Sequence, residues 1–208
     1  MFRLNPLILL PLISFFWLAG GVLVAGSLYP DYSHLSRFMS ALGATGTVHG
    51  ATVNQAVFAV AELWILMFVA LAIRAVGSDG PAIAGLALVG LYAVLLLTAA
   101  YYPCDFECRP EQPSRSHLIH VSAGFLAYVA ALAGLFLVTL RLNRRGIANL
   151  LRSAGAGLVL SGAVLLAGTV QSQEFAGLFQ RLLETLIYLW LTIVGVALAR
   201  MQARSGSL

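Results

Sequence analysis

The sequence predicts an all-α fold: one polytopic membrane domain over residues 1–208, a six-helix transmembrane bundle with a short interfacial helix in its first external loop. Three observations carry that expectation. The chain is 60% hydrophobic and only 10% charged, with a mean hydropathy of +0.91, which no ordinary soluble domain shows. Six apolar runs, near 7–28, 51–75, 81–100, 117–140, 153–171 and 176–199, each approach the roughly 20 residues needed to cross about 30 Å of hydrocarbon. Inside lipid every backbone N–H and C=O must be paired within the protein, so runs of this kind are helices.

All twelve basic residues are arginines. Arg3, Arg74, Arg141, Arg144, Arg145, Arg152, Arg200 and Arg204 flank the N-terminus, the second and fourth loops and the C-terminus, whereas only Arg37, Arg109 and Arg115 lie in the first and third loops. The positive-inside rule therefore puts both termini in the cytoplasm and the odd-numbered loops outside. This distribution accounts for the net charge of +4 without a nucleic-acid partner; the partner is the lipid bilayer. The first run, preceded by Arg3 and ending in Val24-Ala25-Gly26-Ser27, has some features of a signal peptide. Its apolar stretch exceeds the usual ~7–15 residues of such a region, and a retained span is expected.

In the first external loop, Leu35, Phe38, Met39 and Leu42 recur at i, i+3, i+4 and i+7 before Gly43, predicting an amphipathic helix on the bilayer surface. Tyr29 and Tyr32 would sit in the aromatic belt, with His34, Ser36 and Arg37 turned away from lipid. The second span carries Asn54, Gln55 and Glu62. Asn54 and Glu62 are eight residues apart and so share a helical face. A carboxyl at that depth costs several kcal/mol unless protonated or paired, and is expected to face the bundle interior. The third span, from Pro81, holds no charge and reads as structural.

The third loop and the start of the fourth span, residues 101–120, hold both cysteines, two of the four histidines and three of the eight acidic residues. On the oxidising side of the membrane, Cys104 and Cys108 read as a short disulfide. A competing reading joins them to His117 and His120 as a Cys₂His₂ metal site, though the spacing departs from common zinc patterns. His117 and His120, at i and i+3, project to one face, continued by Gly124 and Tyr128. They could ligate a metal with Asp105 or His34 as third ligand, act as a base beside Ser36, Ser40 or Ser116, or simply bond loop carbonyls. The fourth loop is a basic connector, and the Gly- and Ala-rich fifth span suits close helix contact. The sixth span opens with Gln180, Arg181 and Glu184, and Arg181, Glu184 and Tyr188 form a polar stripe. Arg181 is expected to be neutralised by Glu184, Glu62 or an anionic head group.

The histidines, cysteines and intramembrane charges all fall in the external loops or the outer and middle parts of the spans, while the inner halves of the fourth and sixth are nearly featureless. A transporter needs a polar route through both leaflets. The expectation is instead an outward-opening cavity in which His117, His120, Asp105, Ser36, Gln180 and Arg181 converge, with Glu184, Glu62, Asn54 and His34 as further ligand-binding residues.

At the segments SRFMSALGA, YYPCDFEC, SHLIHVSAG and GLFQRL the chain resembles a bacterial membrane family catalogued as domain of unknown function 998, and the likeness in order and spacing covers nearly the whole chain. It is more distantly similar to the eukaryotic Frag1/DRAM/Sfk1 membrane proteins, which are linked to lipid and autophagy biology. Bacterial family members often carry an acidic residue where this chain has Ala41. The resemblance implies a multi-pass protein of the bacterial inner membrane, but no activity, cofactor or oligomeric state. The leading functional expectation is a protein that binds or processes a lipid or amphiphile of the outer leaflet. The alternatives are a metal-dependent membrane hydrolase using His117, His120 and Asp105, assisted by Ser36 or Ser40, and an accessory subunit of a membrane complex.

Overall fold

The computed structural model describes residues 5–144 and 150–205. Arg3 and Arg145 of the charge pattern lie outside the described residues, as do the side chains of Arg144, Arg152 and Arg204. Helix α1 spans Pro6–Leu28, α2 Gly50–Val76, α3 Gly80–Tyr101, α4 Arg115–Arg144, α5 Leu150–Gln171 and α6 Ala176–Ser205. These are the six described helices long and apolar enough to cross a membrane, and they match the six runs to within a few residues. The chain is a multi-pass, all-helical membrane protein whose surroundings are lipid. Large side chains such as Phe16, Leu160 and Val170 are mostly exposed on the outside of the bundle, where hydrocarbon takes the place of water.

Local chemistry sets the helix ends. Asn5 accepts the N–H of Leu7 at the start of α1, and Asp79 accepts that of Ala82 at the start of α3. Each is followed by proline within the first two positions of its helix, where a missing N–H costs nothing. Helix α2 stops at Gly77, whose φ of 66° suits the left-handed turn that glycine adopts most cheaply.

A close backbone approach joins α3 to α4. A Cβ on Gly134 would lie 2.6 Å from the Gly85 carbonyl oxygen, and one on Gly85 would lie 2.9 Å from that of Gly134. Without a hydrophobic force between helices in lipid, such contact between small residues is the main source of association. The glycines of α5 serve similarly: a Cβ on Gly162 would strike Leu132, and one on Gly168 would meet the Phe179 ring at 2.7 Å.

Two departures from the expected elements matter for the site. Val53–Phe58 of α2 is a π-helical turn, so the 3.6-residue period that put Asn54 and Glu62 on one face fails there. Asn54 instead bonds the first loop, its Nδ2 donating to the Gly43 carbonyl at 2.8 Å. The interfacial helix of the first loop shrinks to a 3₁₀ turn, Met39–Gly43, preceded by non-helical turns. An α-helix would need the carbonyls of residues 34–38 for its own N–H groups, and here α6 and Tyr32 take several of them. Arg181 bonds the carbonyls of His34 and Arg37, Leu178 N–H that of Leu35, and the Tyr32 hydroxyl that of Phe38.

The first, third and fifth loops meet at one end of the bundle, called here the cap. At the opposite end, the base, Arg141 of α4 grips the Asp79 carboxylate with a fork, Nε at 3.1 Å and Nη2 at 3.3 Å. Asp79 thus caps α3 and pairs with α4 through a nearly buried carboxylate. Asp79→Ala removes both roles and should lower unfolding free energy by about 2 kcal/mol. Thermal unfolding in a neutral detergent checks this; an unchanged midpoint would mean that water replaces the pair without loss.

Candidate functional site

The cap is stitched together across loops. Thr45 N–H donates to the Cys104 carbonyl at 2.8 Å, Arg37 pairs with Glu107 at 3.1 Å, and Arg109 reaches the carbonyls of Ser36 at 3.4 Å and Gln173 at 3.1 Å. Cys104 and Cys108 form a disulfide, as one of the two sequence readings expected. Glu107 and Cys108 both hold left-handed backbone, with φ of 58° and 56°, a conformation that non-glycine residues adopt only where the surroundings fix it.

Arg181 is the cross-brace of the cap. Its Nη1 donates to the carbonyls of His34 at 2.8 Å, Arg37 at 3.1 Å and Gly177 at 2.8 Å, and its Nη2 to the Tyr32 hydroxyl at 2.7 Å and His34 Nδ1 at 3.1 Å. Gly177 permits the approach, since a Cβ there would run into the Arg37 carbonyl. The expected pairing of Arg181 with Glu184 or Glu62 is therefore replaced. Carbonyl dipoles and a phenol satisfy the guanidinium, and the described ion pairs are Arg37–Glu107 and Arg141–Asp79. Desolvation first, then the nearby Arg181 charge, hold the His34 imidazole below its usual range. Burial holds the Tyr32 phenol above its usual range against the opposing pull of Arg181, so it stays a donor to Phe38.

Below the 3₁₀ turn of the first loop lies a cavity of about 80 Å³, walled by all the helices except α5. Its polar lining is Ser40, Glu62, His120, Tyr128, Gln180 and Glu184. A hydrogen-bond network orders one side. Met39 N–H donates to Gln180 Oε1 at 2.7 Å, Gln180 Nε2 to the Tyr128 hydroxyl at 3.4 Å, and Tyr128 to Glu184 Oε1 at 2.9 Å. Tyr92 donates to Glu184 Oε2 at 2.8 Å. Glu62 stands apart: it is 3% exposed, and its Oε2 is buried with no hydrogen-bond partner among the described residues.

The two histidines of α4 divide. His117, 9% exposed, accepts Asp105 N–H on Nδ1 at 3.3 Å, while the Asp105 carboxylate accepts Ser114 N–H at 2.7 Å. That hydrogen bond, then one from the Ser114 side chain, holds the Asp105 carboxyl below its usual range. His117 and Asp105 thus tie the third loop to α4. His120 Nδ1 faces the carbonyls of Ala99 at 2.8 Å and Tyr102 at 3.1 Å. Since both are acceptors, Nδ1 carries the proton and Nε2 the lone pair.

The donor atoms that cluster at metal-binding spacing are not those of His117, His120 and Asp105. They are the two cysteine sulfurs with a His120 nitrogen, all within 4.8 Å of one another. The disulfide takes up both sulfurs, and a metal ligand must be a thiolate. Of the six residues expected to converge, His120 and Gln180 line the cavity; His117, Asp105, Ser36 and Arg181 lie outside its lining. Ser40 bridges the two regions, with Oγ 3.4 Å from Cys108 Sγ.

Tyr92 was missed because α3 carries no charge. The available signal was a phenol in mid-span, which needs a partner when buried. Ser14 of α1 gives the same signal, bonding the Ala61 carbonyl at 2.7 Å and the Tyr188 hydroxyl at 2.9 Å.

Arg181→Leu should strip donors from three carbonyls and cost about 3 kcal/mol, with the first loop loosened. Arg181→Lys keeps the charge but not the planar fork and should recover only part. Hydrogen exchange over residues 32–39 reads the loosening directly, and protection equal to that of the native protein would contradict this role.

No curated protein and no solved structure is matched by the chain. Residues 12–197 match the family described as protein of unknown function (DUF998), a match that covers all six helices in the order in which they build the cap and its cavity. The chain belongs to that family.

Proposed function

We propose that this protein binds an amphiphile of the surrounding leaflet, its head group in the cavity beneath the cap and its alkyl chain in a groove between α1 and α6. The observation that carries this reading is a shared wall. The groove has an upper part of about 180 Å³, lined by Phe15, Val22 and Thr185 among others, and Leu18, Met39 and Glu184 line both it and the polar cavity. A lower part of about 200 Å³ continues past Phe15 and Thr185 toward Leu189 and Thr192. An apolar channel on the flank of a membrane helix pair is filled by an acyl chain. One that ends against buried polar groups suits a molecule with one apolar and one polar end. Met39, an unbranched and adaptable side chain, is the soft part of the wall.

The reading includes an orientation. Arg74, Arg141 and Arg200 lie toward the base, so the base faces the cytoplasm and the cap faces outward, with both termini inside a bacterial plasma membrane. Reporter fusions at the C-terminus and in the loop around Gln112 check this: a C-terminal fusion active on the outer side would invert it.

Thr185→Trp fills the groove where its two parts join. It should reduce lipid retained through purification about tenfold by native mass spectrometry, while Val164→Trp on the exposed face of α5 should leave retention unchanged. Equal retention in the two variants would remove the groove from the proposal.

A further inference from the structure

We infer that the head group suited to this cavity is a primary ammonium, held by Glu62 and Glu184; the inference rests on the amphiphile reading and specifies its polar end. It follows from counting donors and acceptors. Gln180 is spent at both ends, on Met39 N–H and on Tyr128. Tyr128 and Tyr92 spend their protons on Glu184. His120 spends its Nδ1 proton on the Ala99 and Tyr102 carbonyls. Arg181 lines the upper part of the groove and not the cavity, and its guanidinium is occupied by the carbonyls of the cap. What remains, beside the Ser40 hydroxyl that lies 3.4 Å from Cys108 Sγ, is a surplus of acceptors: the orphan Oε2 of Glu62 and the remaining lone pairs of Glu184.

An occupant must therefore donate. A primary ammonium carries three N–H donors and a positive charge, suited to two neighbouring carboxyls. A phosphate brings only acceptors and negative charge to a lining without a free cation. A trimethylammonium carries the charge but donates nothing. A hydroxyl donates once and brings no charge to either carboxyl. Calcium takes six to eight oxygen ligands and magnesium near-ideal octahedral coordination, whereas most of the oxygens here are already committed. Glu62, whose buried Oε2 has no hydrogen-bond partner among the described residues, is the group that an ammonium would complete.

The test uses the full chain in a neutral detergent, with binding read by calorimetry. Dodecylamine, dodecanol and dodecyltrimethylammonium share one tail and differ in the head, and methylamine supplies the head alone. Dodecylamine should bind at least about tenfold more tightly than either twelve-carbon competitor, and Glu62→Gln should abolish that preference. Equal affinity of the three amphiphiles would overturn the ammonium assignment and leave the groove standing. Failure of all three to bind would overturn the groove, and with it this inference. Methylamine binding as tightly as dodecylamine, dependent on Glu62, would uphold the ammonium site and overturn the lipid source. The comparison on the unaltered protein decides the head group even if Glu62→Gln fails to fold.

Discussion

Backbone carbonyls at the rim of a membrane bundle need donors, and one guanidinium supplies them to two carbonyls of the first loop and one of α6. Arg181 holds the carbonyls of His34, Arg37 and Gly177 together with the Tyr32 phenol. This fixes the path of residues 32–39 over the top of α6, and hence the position of the Met39–Gly43 turn that closes the cavity. The planar fork matters more than the charge, since its hydrogen-bond partners are dipoles and no carboxylate joins them. Because Arg181 is spent this way, Glu184 is left to two tyrosines and Glu62 to the cavity. The acidic character of the site is a consequence of where the arginine points.

The helices were legible in the sequence because their signal is length and hydropathy, which lipid enforces without reference to any neighbour. The disulfide was legible from spacing and compartment. The first loop was misread for an equally physical reason. Its apolar period favours a helix, but periodicity says nothing about competing donors, and Arg181, Leu178 and Tyr32 claim the carbonyls that such a helix needs. The π-turn at Val53–Phe58 likewise broke an assumption of ideal geometry and sent Asn54 to Gly43. Charge drew attention to Arg181 as a salt-bridge partner, while the uncharged Tyr92, which satisfies Glu184, stayed hidden in an apolar run. Of the site, the sequence made its titratable members visible and left their hydroxyl partners obscure.

The third loop gains a structural role from the same network. His117, which sequence grouped with His120 as a ligand pair, accepts from the Asp105 backbone and so pins the loop to α4. That frees His120 to turn toward Ala99 and Tyr102 at the end of α3. Two histidines one turn apart thus do different work: one holds the loop, the other lines the cavity with its Nδ1 proton committed to the Ala99 and Tyr102 carbonyls.

The disulfide and the cavity are coupled through that second histidine. Cys104 and Cys108 lie close enough to His120 to form a ligand set, but oxidation removes the thiolates such a set requires. In the oxidised protein the bond shortens the third loop, and the Cys104 carbonyl receives Thr45 N–H, binding the third loop to the first. Tyr102, two residues before Cys104, presents one of the carbonyls that orient His120. The cross-link therefore acts on the site by position. It holds the backbone beside Tyr102, whose carbonyl orients the imidazole, and takes from the three residues that spacing alone reads as a metal centre the two thiolates such a centre needs; of the three, only His120 lines the cavity.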